Sequence, residues 1–279
     1  MLPEVLEHLR AGGFTVEPTP TGAPGDATRL AQEAVDAGVD VVFAMGGDGT
    51  LREAAKGLLS STANRENTPA LGILPAGTTN VLSIALGLPQ NPLAAAKVLP
   101  HCEITEIDVG RIGEEPFLML VSYGLDAVVM AHQNSDAKKR YGKAAVVWTA
   151  LREFSSYDYP TVDLEADGSR HAVPFFAACN IPHYGGAFQM APDANPTDGL
   201  LDLVLFHGHT PTATLGFAKD LMLGRHTQRP DVDTATVDRI DLLEPKRITV
   251  QIDGDPLTVE TPVRVTVGSE RLRVLVPVG

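Results

Sequence analysis

The sequence predicts a doubly wound α/β domain at the amino end, followed by a second domain that is mainly antiparallel β. Three observations carry this. Up to about residue 108, apolar residues at helical spacing alternate with short β-branched runs, the rhythm of helices packed on a parallel sheet. The runs themselves, such as DVVFAM at Asp40–Met45, are continuously apolar, as strands covered on both faces must be. Beyond that point strand-like segments follow one another, with Asp-Gly turn signals between several of them. The expected division is 1–108 and 109–267, with 268–279 returning to the first domain.

Leu2, Val5, Leu6 and Leu9 fall on one helical face, Gly12-Gly13 stops that helix, and Phe14 to Glu17 reads as a short strand. Pro18 to Gly25 is a loop, and Asp26 is the expected N-cap of a helix through Leu30, Ala34 and Val35. The buried strand at Asp40–Met45 leads to a helix over Leu51–Leu59. A polar insertion (Ser60–Thr68), a strand (Ala70–Leu74) and a helix (Thr79–Ala85) follow. In the second domain strands are expected at Phe117–Val121, Thr161–Ala166, Val173–Cys179, Leu200–Phe206, Ile248–Ile252, Arg264–Val267 and Leu272–Val276. Helices are expected there at Lys143–Phe154 and Thr212–Leu223.

Composition narrows the function classes. The chain has 279 residues, of which 44% are apolar, enough for a packed core and too many for a disordered segment. No run approaches the ~20 apolar residues of a membrane span, and the amino end carries acids, unlike a secretory signal, so a cytoplasmic protein is expected. Cys102 and Cys179 stand far apart without CxxC spacing and indicate neither a disulfide framework nor a zinc site. A formal charge of −13 opposes nucleic acid as a partner, and makes any contact with a membrane surface a local matter. Two candidate surfaces for such contact are the basic run Lys138, Lys139, Arg140 and Lys143, and the helix carrying Leu215, Phe217, Leu221, Met222 and Leu223. The plain readings are a solvated helix start for the first and core packing for the second.

The sharpest motif is Gly46-Gly47-Asp48-Gly49-Thr50, set between a buried strand and a helix. Glycines let backbone amides approach phosphate oxygens, and the following helix turns its positive end to the same place. No Gly-Lys-Ser/Thr follows, so this is not a Walker A loop. An aspartate here would repel phosphate unless a cation lay between them, which points to Mg²⁺. A tight strand-to-helix turn with a capping Asp is the alternative. A second loop, Leu74-Pro75-Ala76-Gly77-Thr78-Thr79-Asn80, ends the next strand in the same way, and two such loops would frame one crevice.

The segments VVFAMGGDGTLREAAKGL and LGILPAGTTNVLSIALGLP resemble the diacylglycerol kinase catalytic family, which includes bacterial lipid kinases and sphingosine kinases. The likeness continues through EIDVG (Glu106–Gly110), KKRYGKAAVVW (Lys138–Trp148), NIPHYGGAFQMAPDANPTDGLLDLVLF (Asn180–Phe206) and VQIDGDP (Val250–Pro256). GGDGT alone is shared with NAD kinases and phosphofructokinases, so these later blocks decide the matter. The resemblance implies a nucleotide-binding domain, a β-sandwich domain, and a cleft between them for ATP and lipid. It implies that Gly46, Gly47, Asp48, Gly49, Thr50, Leu51 and Arg52, with Gly77, Thr78 and Thr21, contact ATP. Asp48 and Asp108 match acidic positions that organise Mg²⁺ and water, and Asp198, with the carbonyls of Asn195 and Leu200, resembles a separate structural Mg²⁺ site. Asp255 matches the general base that takes the proton of the lipid hydroxyl. Without the family, Asp198-Gly199 reads as a turn, and Asp253-Gly254 as the centre of a type I′ hairpin that would include Asp255.

Three departures from the family pattern stand out. The family opens with a β-strand and an Asn-Pro-x-Ser/Ala-Gly loop, whereas this sequence starts in the helix that follows; a start assigned too late, or a truncation, is the expectation. The family base is usually glutamate, and Asp255 is one methylene shorter. Val81 stands where many members carry aspartate. The implied activity is transfer of the γ-phosphate of ATP to a lipid hydroxyl, by default diacylglycerol giving phosphatidic acid, within phospholipid biosynthesis. A sphingoid base or another lipid is the alternative acceptor, and a non-catalytic lipid- or nucleotide-binding protein the alternative class. Dimers among similar proteins make a homodimer a further expectation.

Overall fold

The computed structural model describes residues 1–60, 68–132, 152–154 and 157–278, which form two compact units, Met1–Val109 with Ser269–Gly279, and Gly110–Gly268. The first unit contains α1 (Leu2–Ala11), α2 (Asp26–Asp36), β1 (Val41–Gly46), α3 (Asp48–Leu59), β2 (Ala70–Pro75), α4 (Val81–Ala85), α5 (Pro92–Val98) and most of β3 (Glu103–Ile112). β1 and β2 are parallel, and the carboxyl end of β16 (Val263–Val276) lies parallel to β2, with Val274 opposite Leu71. Every residue of β2 is buried, as its apolar run requires. Each helix turns a small apolar face inward: Val5 and Leu9 on α1, Ala27, Ala31 and Val35 on α2. α2 and α3 approach closely because Gly57 has no side chain; a Cβ there would collide with the Thr28 carbonyl. α5 starts on Asn91, whose Oδ1 accepts the amides of Leu93 (2.9 Å) and Ala94 (3.2 Å).

The second unit is a β-sandwich. One sheet runs β12 (Val232–Val237), β11 (Leu201–Phe206), β8 (Phe175–Cys179), β5 (Leu120–Tyr123), β14 (Arg247–Ile252), β15 (Asp255–Glu260), antiparallel throughout. Facing it, the amino end of β16 pairs with β13 (Arg239–Glu244), which pairs with β6 (Val162–Ala166) and then β7 (Ser169–Val173), while β4 (Glu115–Phe117) pairs with the end of β3. Inward residues of both sheets, among them Phe117, Phe176, Leu203, Leu164, Ile240 and Val265, make one core, as alternating strands demand. Among the described residues the unit also has two short strands, β9 (His183–Tyr184) and β10 (Phe188–Gln189), and the helices α6 (Leu125–Ala131) and α7 (Pro211–Met222), besides the helical residues 152–154.

Several expected elements are corrected. Phe14–Glu17 forms no strand; a strand needs a ladder partner, and Phe14 instead sets its ring edge-on to Phe43 at 5.0 Å. Gly25, with φ 88°, caps α2, while the Asp26 carboxylate turns back to accept the amides of Gly22 (2.8 Å) and Ala23 (2.9 Å). The expected strand Phe117–Val121 is split at Leu118-Met119, whose amides bind a carboxylate instead of a neighbouring strand. Val173–Cys179 is two strands, parted at Pro174. Arg264–Val267 and Leu272–Val276 are one strand, the charged stretch between them being strand as well. The helix at Thr212–Leu223 is core packing on one face only: Phe217 is buried in an apolar cluster with Leu221 against it, while Leu215, Met222 and Leu223 are exposed. The polar insertion over 61–67, the basic run at Lys138–Lys143 and the helix from Lys143 lie outside the described residues, except for 152–154, which are helical.

Candidate functional site

Because β1 and β2 pair in register from Val41–Ala70 to Gly46–Pro75, their loops leave the sheet side by side. The Ala76 amide donates to the Gly46 carbonyl at 2.8 Å. The two backbones then touch: a Cβ on Gly77 would stand 2.5 Å from the Gly47 Cα, and one on Gly46 would stand 2.6 Å from the Thr50 side chain. Glycine is therefore required by the close approach, and it leaves the amides at the start of α3 unobstructed for an anion.

Asp48 joins the loops. Its Oδ2 accepts the Thr79 hydroxyl (3.0 Å) and the Val81 amide (3.1 Å), and its Oδ1 the Leu82 amide (3.3 Å). The carboxylate thus caps the short helix α4, satisfying donors that have no partner within that helix. Asn80, held at φ 49°, braces the second loop by accepting the Gly77 amide at 2.8 Å and donating to the Gly77 carbonyl at 3.3 Å. Gly46, Gly47, Gly77 and Thr78 are accordingly gathered where the two loops meet, with Asp48 to Arg52 at the start of α3. Thr21 precedes a turn tied to α3 by the Gly25 amide on Glu53 Oε2 (3.0 Å).

Asp108 is elsewhere in the first unit. It is 1% exposed and pairs with Arg271 Nη2 at 3.0 Å. Since Val274 is level with Leu71, Arg271 lies at the amino end of β2, away from the two loops at its carboxyl end. Arg271 was not singled out in the sequence; its signal was a cation inside a charged interruption of an apolar strand.

In the second unit, Asp255 opens β15 and pairs with Ile252 across the two-residue turn Asp253 (φ 50°) and Gly254 (φ 89°). Both φ values are positive, as a type I′ hairpin requires. The hairpin and the candidate base are thus the same feature, and the turn is unusually well held. Asp253 is buried, and its carboxylate accepts the amides of Leu118 (2.8 Å), Met119 (2.9 Å) and Leu120 (3.1 Å). Gln251 Oε1 accepts the Gly254 amide at 2.6 Å. In the sequence Asp253 reads as a turn former only, because the amides that donate to it lie more than 130 residues away.

Around the second candidate cation position, Asp198 Oδ1 accepts the Leu200 amide at 3.0 Å, and Asn195 Oδ1 accepts the Thr197 hydroxyl at 2.8 Å. Burial raises the Asp202 carboxyl above its ordinary value, and the negative charges of Asp198 and Asp193 raise it further. Mutually repelling carboxylates beside backbone carbonyls suit a hard cation. Among the described residues no three His, Cys, Asp or Glu side chains converge on one point, so such an ion would rely on carbonyls and water beside Asp198.

The second unit also holds an apolar cavity of about 260 Å³, walled by Leu125, Val129, Phe175, Phe206, Phe217 and Leu221 among others. Among the polar residues of its wall is Asp126, which is half-buried and accepts the hydroxyls of Ser122 and Tyr184, the latter at 3.1 Å. Burial pushes the Asp126 carboxyl above the ordinary carboxylate range, against those hydrogen bonds, and burial likewise raises the Tyr184 phenol.

Comparison with known proteins fits this geometry. The Diacylglycerol kinase catalytic domain profile matches residues 1–112, and the YegS C-terminal NAD kinase beta sandwich-like domain profile matches residues 119–276. A Pseudomonas fluorescens protein named "Probable lipid kinase YegS-like" is 32% identical over 274 residues, 98% of this chain and 89% of the relative. The chain belongs to the diacylglycerol kinase-like lipid kinase family. Another member of that family, the diacylglycerol kinase of Bacillus subtilis, is 27% identical over 91% of this chain and 84% of its own length. The crystal structure of a diacylglycerol kinase from Bacillus anthracis superposes with a TM-score of 0.75 at 22% identity, covering 99% of this chain and 90% of that one, which establishes the shared fold. As a lipid kinase the chain has an α/β amino-terminal part and an antiparallel β-sandwich. Among its described residues no helix is long and apolar enough to cross a membrane.

Proposed function

We propose that this lipid kinase transfers the γ-phosphate of ATP to the free hydroxyl of diacylglycerol, giving phosphatidic acid and ADP. The observation that carries the reading is the largely apolar cavity of the β-sandwich unit, with Asp126 among its few polar wall residues, in a chain whose other unit presents two abutting glycine loops. A diacylglycerol is an apolar molecule with one reacting hydroxyl, and such a cavity suits part of its hydrocarbon.

In this proposal the amides of Gly46 to Arg52, with Gly77 and Thr78, hold the phosphates, and Thr21 adds a nucleotide contact. Mg²⁺, when bound, neutralises charge on the phosphate oxygens. Asp48 orients that region through the second loop, and Asp108, fixed by Arg271, adds negative charge to the same unit. The Asn195, Asp198 and Leu200 corner is the proposed structural cation site. Asp255 accepts the proton of the lipid hydroxyl as its oxygen bonds to the γ-phosphorus and the bond to the ADP oxygen breaks. The loose transition state of phosphoryl transfer asks mainly for positioning, which a held hairpin provides.

The test is incubation of the purified chain with labelled ATP, Mg²⁺ and, in parallel, diacylglycerol micelles, sphingosine or NAD, with Asp48→Ala as the blank. Label in diacylglycerol alone is the expected result. Label in sphingosine would move the acceptor class, and label in NAD would overturn the reading.

A further inference from the structure

The residues of α7 that wall the cavity, Thr214, Phe217, Ala218 and Leu221, recur at helical spacing and share one arc of the helix. That arc does not end where the protein's own packing ends. Leu215 and Met222, seven residues apart and therefore also aligned, continue it outward, yet they are 57% and 65% exposed. Leu223, just past the helix, is 58% exposed, and Phe188 on neighbouring β10 is 41% exposed. Ala218 both walls the cavity and faces solvent, so the cavity opens along this stripe.

We infer that the outer face of α7 is the element that docks this lipid kinase on a bilayer surface, so that lipid passes from the membrane into the cavity beside it. This rests on the cavity being the lipid's. Charge favours the same occupant. The chain carries −13 overall, and its field opposes an anionic surface, so contact must be apolar and local. The helix has two charged side chains, Lys219 and Asp220. Asp220 is paired with Arg225 (3.1 Å) and Arg229 (2.8 Å), whereas Lys219 is exposed beside Leu215, suited to lipid phosphates. A second copy of the chain is the poorer fit, because the four exposed apolar side chains offer roughly half of the ~800 Å² per partner that a stable interface takes. A face with few acids, apolar at its centre and basic at its rim, is instead the pattern of a helix lying in a headgroup layer.

The experiment is flotation of the full chain with phosphatidylcholine vesicles, with and without diacylglycerol, comparing the native protein with Leu215→Glu/Met222→Glu. Val39→Glu, at an exposed apolar residue of the other unit, serves as control. The native chain and the control should float, and the double variant should lose vesicle binding by about tenfold or more, since two interfacial side chains are lost. Its phosphorylation of monomeric short-chain diacylglycerol should stay within about twofold of native. Should the glutamates unfold the protein, Leu215→Ser/Met222→Ser replaces them. Equal flotation of native and variant would overturn the inference, as would failure of the native chain to float. It would also fall if the double variant split a native dimer while still binding vesicles. Flotation needs no turnover, so a chain that floats but phosphorylates no lipid would overturn the proposed function and leave the docking face standing.

Discussion

Asp253 holds a buried carboxylate on three backbone amides, and that arrangement decides both the break between β4 and β5 and the position of Asp255. Asp253→Ala strips those buried N–H groups of their acceptor, at ~1–3 kcal/mol each with partial relaxation, so a loss of about 3–5 kcal/mol in urea unfolding is expected. Asp253→Asn keeps one acceptor oxygen and should lose less. Asp126 allows a pH prediction. Its folded-state carboxyl is raised above the ordinary 3.8, so the native state favours the protonated form. Its contribution is complete below that value and is lost as pH rises through the raised folded value. Asp126→Asn cannot ionise, so its melting temperature relative to native should improve as pH rises above ~4 and level off once pH has passed the raised folded value. A difference independent of pH would contradict this. At this scale the sequence was partly legible. Asp48 and Asp255 stand out by motif, because loop chemistry is local. Arg271 and the amide-binding role of Asp253 do not, because their partners are distant in the chain and only folding brings them together.

At the scale of elements, the two glycine loops form one object. Gly77→Ala would place a methyl against the Gly47 backbone, where neither side can yield as a flexible side chain would. The loops must part, and the cradle with them. Titration calorimetry should show MgATP binding weakened by about tenfold or more, with the sandwich unit's unfolding unchanged, because the two glycines make no part of its core. The parallel pair β1–β2 was readable from its doubly buried runs, and the strands of the sandwich from their alternation. What escaped was decided by tertiary partners. Phe14–Glu17 has strand composition but no ladder, and Ser269-Glu270-Arg271 looks like a break yet continues β16. The apolar positions of α7 read as core by composition, while the fold leaves Leu215 and Met222 outside.

For the whole molecule, family membership rests on matches that run from residue 1 to 276, on glycine loops in one unit and on a sandwich with an apolar cavity in the other. The net charge of −13 opposes an anionic surface, and among the described residues no helix is long and apolar enough to cross a membrane. A protein that binds MgATP at ~100 times its dissociation constant gains ~2.7 kcal/mol of stability, so the melting temperature should rise in millimolar MgATP and rise less for Asp48→Ala. The central claim is phosphoryl transfer to a lipid hydroxyl with Asp255 as base. Its most direct test is the rate at which label passes from γ-labelled ATP into extracted lipid, measured for the native chain and Asp255→Ala side by side at saturating Mg²⁺. The account predicts labelled phosphatidic acid from the native chain and a rate lower by about 100-fold or more in the variant. No label in any lipid from the native chain, or an undiminished rate in the variant, would contradict it.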